Sequence, residues 1–149
     1  MSQMEEYRED SELDRLLGFQ MQMTDVLLVE AARGALEPFG VTPARLAALL
    51  LIRSNDGCDQ STLGRALRVN RSSAMKLVNL LIDRDLIERG PGRDMRSHAL
   101  HLTKHGERQI DRMVAAVREA EDRASSALDA DEKAMLVRLL RKMRAGRDI

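Results

Sequence analysis

The stretch "QSTLGRALRVNRSSAMKLVNLL", from Gln60 to Leu81, leaves this chain little choice of fold. Gln60 to Leu67 is long enough for about two helical turns, and Arg68-Val69-Asn70 is too short for anything but a tight corner. Asn70 then has the side chain to cap a second helix running from Arg71 to about Arg84. By length this is a helix-turn-helix. Its second helix turns Ala74, Leu77, Val78 and Leu81 to one side, at relative positions 0, 3, 4 and 7. Arg71, Ser72, Ser73, Lys76 and Asn79 are left outside, with no acid in the first two turns.

The flanks extend the unit on both sides. Thr42-Pro43 opens a helix with a capping hydroxyl and a proline where no N–H is needed, Val41 and Leu46 are spaced as a hydrophobic staple, and "SNDGCD" ends the helix after about Arg53. After the helix-turn-helix, Leu86 to Arg89 reads as a short strand and Gly90 to Ser97 as an irregular tip. His98 to Leu102 alternates with period two, so the pair predicts a hairpin with Leu100 and Leu102 toward the core and Ala99 and His101 away from it.

Long amphipathic helices bracket this middle. Ser11 and Asp14 have capping-box spacing, and Leu13, Leu16, Leu17, Gln20, Thr24, Leu27, Leu28, Ala31 and Ala35 follow at threes and fours until Pro38-Phe39-Gly40. Thr103 caps a helix with Ile110, Met113, Val114, Val117 and Ala124 on one stripe. Asp129 and Glu132 form a further capping box, before a last helix with Leu136, Leu139, Leu140 and Met143 inward. The organisation expected is residues 1–41 as an acidic tail and dimerisation helix, 42–103 as a winged helix-turn-helix, and 104–149 as C-terminal dimerisation helices.

Composition agrees: of 149 residues 44% are apolar but only 2% aromatic, so the core is aliphatic and the class mainly α. The formal net charge is zero, yet residues 1–41 carry 3 basic and 9 acidic side chains, residues 42–103 carry 10 and 6, and residues 104–149 carry 11 and 9. Steering of a polyanion depends on that local excess and not on the total. The single cysteine, Cys58, excludes an intramolecular disulfide, and no apolar run approaches the roughly 20 residues of a membrane span. With no signal-peptide pattern at the N-terminus, a cytoplasmic protein without a membrane partner is expected.

Helix, helix, helix-turn-helix, hairpin and two helices, together with "VTPARLAALLLI" (41–52), "QSTLGRALRVNRSSAMKLVNLLIDRDLIER" (60–89) and "DMRSHALHLTKHG" (94–106), resemble the MarR family of bacterial winged-helix regulators. Asp94, Arg96, Ser97, Leu102, Thr103 and Gly106 fit that family's wing and exit, while Met95 stands where the family has a second arginine. The resemblance implies an intertwined homodimer in which the first and last helices of both copies interlock. Recognition helices of such a dimer enter successive major grooves of a pseudo-palindromic operator. It also implies a small, often aromatic, anionic effector that releases the DNA. Within the family the segment from Gly18 to Ile52 is similar to members that respond to aromatic acids or their coenzyme A thioesters, such as hydroxycinnamoyl-CoA.

These readings assign candidate sites. On the recognition helix, Arg71 and Lys76 suit phosphates, and Ser72, Ser73 and Asn79 suit base edges; the alternative is a plain solvated face. In the wing, Arg93 is the candidate for the minor groove, and Arg96 either pairs with Asp94 to stiffen the tip or meets phosphate. Arg89, at the base of the strand, reads as a cap on the sheet. For the effector the candidates are Phe19, Met21, Met23 and Met113 as apolar walls and Arg15, Arg33 and Arg45 as cations, each also consistent with core packing or a surface ion pair.

Other chemistry lacks support. His98, His101 and His105 have no cysteine or carboxylate in ligand register, so no metal is assigned. Cys58 sits between Asp56 and Asp59, which disfavour its thiolate and a redox role. No catalytic constellation or cofactor motif occurs, so an enzyme is not expected. A winged helix used for protein association, without sequence-specific DNA binding, is the alternative to a ligand-responsive repressor.

Overall fold

The computed structural model describes residues 11–92 and 98–145. Helix α1 (Leu17–Leu36) runs into a short 3-10 turn at Glu37–Phe39, followed by α2 (Pro43–Ser54), α3 (Gln60–Leu67) and α4 (Arg71–Asp83). Strands β1 (Ile87–Pro91) and β2 (His98–Leu102) pair antiparallel, with Ile87 opposite Leu102 and Pro91 opposite His98. Helices α5 (Lys104–Ala124) and α6 (Ala130–Arg144) complete the order of a winged helix between long terminal helices. Among the described residues no single helix is long and apolar enough to cross a membrane.

The caps fall where their side chains direct. Thr42 accepts from the Arg45 N–H, Asn70 from Ser73, Thr103 from Gly106, and Asp129 with Glu132 closes a reciprocal capping box. One continuous core gathers Leu36 from α1, Leu46, Leu49 and Ile52 from α2, Leu63, Val78 and Leu81 from α3 and α4, Ile87 and Leu100 from the strands, and Ile110 and Met113 from α5. Each aliphatic side chain buried so completely contributes roughly 1.5–3 kcal/mol relative to exposure. Arg53 bonds Asp111 at 2.8 Å and so pins α2 to α5. Arg84 donates to the carbonyls of Phe39 and Gly40, holding the end of α4 against the link between α1 and α2.

The structure differs from the sequence reading in four places. Ser11 caps a turn and not a helix: its hydroxyl accepts from Asp14 N–H at 3.2 Å, the Gln20 amide folds back onto the Asp14 carbonyl at 2.8 Å, and α1 starts only at Leu17. Gly90 and Pro91 belong to β1 and not to an irregular tip, Pro91 lying at the end of a two-stranded ribbon where its missing N–H breaks no ladder. Ala99 is buried, because the turn after α2 lies along β2: Gly57 N–H donates to the Leu100 carbonyl at 3.0 Å and Leu100 N–H to the Cys58 carbonyl at 2.9 Å. Finally, Leu136, Leu139 and Met143 are exposed, and no residue of α6 is buried, because no other element among the described residues covers its apolar stripe.

Candidate nucleic-acid interface

The corner between α3 and α4 is built by three local devices. Asp59 caps α3 by accepting from Thr62 N–H at 2.7 Å, and Arg68 closes it in the left-handed region at φ 55°, an uncommon conformation for a residue with a Cβ. Val69 N–H then returns to the Gly64 carbonyl at 3.0 Å. Gly64 has no side chain where one would meet the Ala74 Cβ at 3.2 Å, so the two helices approach closely. Asn70 restarts the helix, accepting from Ser73 N–H at 2.8 Å.

That geometry sets the faces of α4. Ala74, Val78 and Leu81 are buried and Leu77 half-buried, and Arg71, Ser72, Ser73, Lys76 and Asn79 are all exposed together on the opposite side. Met75 shares this face and was missed by the sequence reading, although Arg71, Met75 and Asn79 stand four apart. Between the helices a cleft of about 260 Å³ is lined by Gln60, Ser61, Gly64, Arg65, Val69, Arg71 and Ala74, adding two polar side chains and a second arginine to the surface. The hairpin contributes more than a sheet cap. Arg89 Nη2 donates to Asn79 Oδ1 at 3.1 Å and to Gln60 Oε1 at 3.4 Å, so β1 reaches across to the recognition helix. Arg93, Asp94 and Arg96, the wing candidates, lie outside the described residues.

The remaining candidates are scattered. Arg15 precedes α1, Phe19, Met21, Met23 and Arg33 lie along it, Arg45 is in the first turn of α2, and Met113 is buried in α5. The cleft that Met113 floors, about 250 Å³, contains none of the other six; it is lined by Phe39, Val41, Arg84, Leu86, His105 and Gln109. The Arg112 guanidinium lies 5.8 Å above the Phe39 ring centroid at the same place. His101 Nδ1 bonds Asp56 Oδ1 at 2.8 Å, and among the described residues no three histidine, cysteine or acidic side chains form a metal-sized group. Burial, then the Asp59 and Asp56 charges, push the Cys58 thiol above its ordinary value against a hydrogen bond at its own backbone.

Known proteins share this arrangement. A putative transcriptional regulatory protein for the hcr operon of Thauera aromatica is 33% identical over 129 residues, 85% of this chain and 78% of the relative. The MarR family sequence model matches residues 39–97, which span the corner, α4 and β1. The chain belongs to the MarR family. The transcriptional repressor CouR bound to a 23-mer DNA duplex superposes with a TM-score of 0.82 at 28% identity, over 92% of this chain and 98% of that one. The MarR family protein Rv2887 of Mycobacterium tuberculosis, in complex with salicylic acid, gives 0.73 at 25% identity, over 87% and 97%. The fold is therefore that of a MarR-family winged-helix transcriptional regulator.

Proposed function

We propose that two copies of this chain bind a pseudo-palindromic operator and repress transcription until a small aromatic acid, free or as its coenzyme A thioester, releases them. The observation that carries the DNA reading is the acid-free start of α4, with Arg71, Ser72, Ser73, Lys76 and Asn79 exposed on a rigid corner. Arg71 and Lys76 bind phosphates, and Ser72, Ser73 and Asn79 face base edges. Arg93 enters the adjacent minor groove, Asp94 stabilises the wing, and Arg96 pairs with Asp94 or meets phosphate. The uncovered stripe of α6 supports the homodimer: Leu136, Leu139 and Met143 leave more than two fifths of their surfaces to solvent unless a second copy covers them.

The effector reading rests on chemistry. A cleft of about 250 Å³ with Phe39, Val41, Leu86 and Met113 as walls and Arg84 and His105 at its edge suits one aromatic ring carrying a carboxylate. It lies below the roughly 300–1,000 Å³ of drug-sized pockets, so a coenzyme A tail must extend beyond it. Arg15, Phe19, Met21, Met23, Arg33 and Arg45 join the site only if dimerisation brings α1 and α2 alongside. Release follows if the ligand favours a spacing of recognition helices that no longer matches successive grooves.

Fluorescence anisotropy with the DNA upstream of the chain's own coding sequence tests this. Log affinity is expected to fall steeply with log salt, and the matching aromatic acid or thioester to weaken it; Arg71→Ala should lower the salt slope by about 1. A flat salt response, or equal affinity for scrambled duplex, leaves a protein-association module instead.

A further inference from the structure

Asn79 does not meet the groove as a free amide. We infer that Arg89 is a positioning residue that locks the Asn79 amide with its donor side outward, so that this residue selects guanine over adenine at one position of each half-site. The inference rests on the DNA-binding reading above and deepens it.

A guanidinium donates five hydrogen bonds and accepts none, so an amide that faces it must present its oxygen. Arg89 Nη2 faces two such amides, Asn79 at 3.1 Å and Gln60 at 3.4 Å, and its two hydrogens satisfy one each. Both NH₂ groups are thereby left as the free ends. An unrestrained asparagine pairs with adenine by accepting from N6 and donating to N7, which uses both ends of the amide. Oδ1 keeps a second lone pair, but Arg89 holds it toward β1, which leaves the two-ended pairing with adenine the less favourable one for Asn79. Guanine presents only acceptors in the same place, N7 and O6, and these match the free NH₂ end of the amide. The same constraint suits Gln60, in the first turn of α3, to a phosphate oxygen.

The hairpin supplies the lock because of its register. Arg89 stands opposite Leu100, whose side chain is buried, and β1 follows α4 after a short loop that brings the Arg89 side chain back beside Asn79, ten residues earlier. Arg89 is thus coupled to specificity without needing to touch a base.

The test uses full-length protein and the upstream DNA, first footprinted to find the half-site, then every single base-pair replacement of that half-site titrated by anisotropy. Wild type is expected to prefer guanine to adenine about tenfold at one position. Arg89→Met frees the amide and should cut that preference below about threefold while the preferences at other positions persist. Asn79→Asp keeps a partner for Arg89 but removes the donor, and should abolish the guanine preference at the same position. This variant carries the test if Arg89→Met melts early. Equal weakening on every replacement by Arg89→Met, or a guanine preference that survives Asn79→Asp, overturns the lock. Wild type showing no salt-dependent preference for upstream over scrambled DNA overturns the DNA-binding reading beneath it.

Discussion

Leu49 in α2 and Leu139 in α6 are the same residue on the same kind of helix, yet Leu49 exposes none of its surface and Leu139 exposes 48%. The difference divides the molecule. From the end of α1 to the middle of α5 the chain completes its own core, with helices short enough and corners tight enough that each apolar stripe finds a neighbour. In α6, and at Leu17, Val26 and Leu27 of α1, apolar side chains stay exposed among the described residues. A body that folds on itself and terminal helices that need company should respond to different insults.

The largest effect is expected where the body is tightest. Gly106, in the first turn of α5, lies under the start of β1, and a Cβ there would stand 2.0 Å from the Leu86 carbonyl oxygen. Thr103 fixes the same junction through its N–H to Leu86 at 3.1 Å and its hydroxyl to the Gly106 N–H at 2.9 Å. Backbone on both sides cannot retreat as a flexible side chain can. Gly106→Val should therefore cost about 4 kcal/mol, at the upper end for a point substitution, measured by urea unfolding. A cost under about 1 kcal/mol would show that the body is less rigid than this comparison requires.

The terminal helices should answer in assembly and not in the fold of the body. Leu136→Glu with Leu139→Glu places two charges on the exposed stripe of α6, at residues that belong to no part of the core. Sedimentation velocity at micromolar concentration should shift from the proposed dimer to a monomer. Exposed substitutions of this kind should change the intrinsic stability of the body by no more than about 0.5 kcal/mol each. A persistent dimer would move the interface elsewhere. A chain that no longer folds would erase the distinction between the two regions, because the body would then depend on the partner.

How much of this could be read in advance followed the same division between local and distant causes. The bounds of α3 and the caps at Thr42, Asn70, Thr103 and Asp129 depend on side chains within four residues of the backbone they satisfy, so the sequence carries them openly. The burial of Ala99 depends on Gly57 and Cys58, more than forty residues away, and alternation within the strand is blind to it. Arg89 looked like a sheet cap because its partners, Gln60 and Asn79, meet it only after the hairpin folds back. Met75 was legible in the spacing from Arg71 to Asn79, but a thioether among cations and hydroxyls does not announce a contact. The α6 stripe was read as inward from its period, and period shows which side is apolar, never what lies against it.

The smallest expected effect concerns the cap that begins the corner. Asp59 accepts from Thr62 N–H, and hydrogen bonds from Thr62, ahead of the Arg65 charge, hold its carboxyl below the ordinary value of 3.8. Unfolding returns the group to that value. Its contribution is therefore complete above about pH 4 and is lost as the pH falls through the lower, folded value. Asp59→Ala should lower stability by about 1 kcal/mol at pH 7, the ordinary worth of an N-cap, and the gap from wild type should narrow in acid. Asp59→Asn keeps an accepting oxygen without the titration, so it should retain most of the stability and lose the pH dependence. Urea unfolding of the three proteins at pH 7 and pH 3 separates the cases. If Asp59→Ala matched wild type at pH 7, α3 would be held by the core through Leu63 alone, and the body would owe its corner to burial and not to its caps.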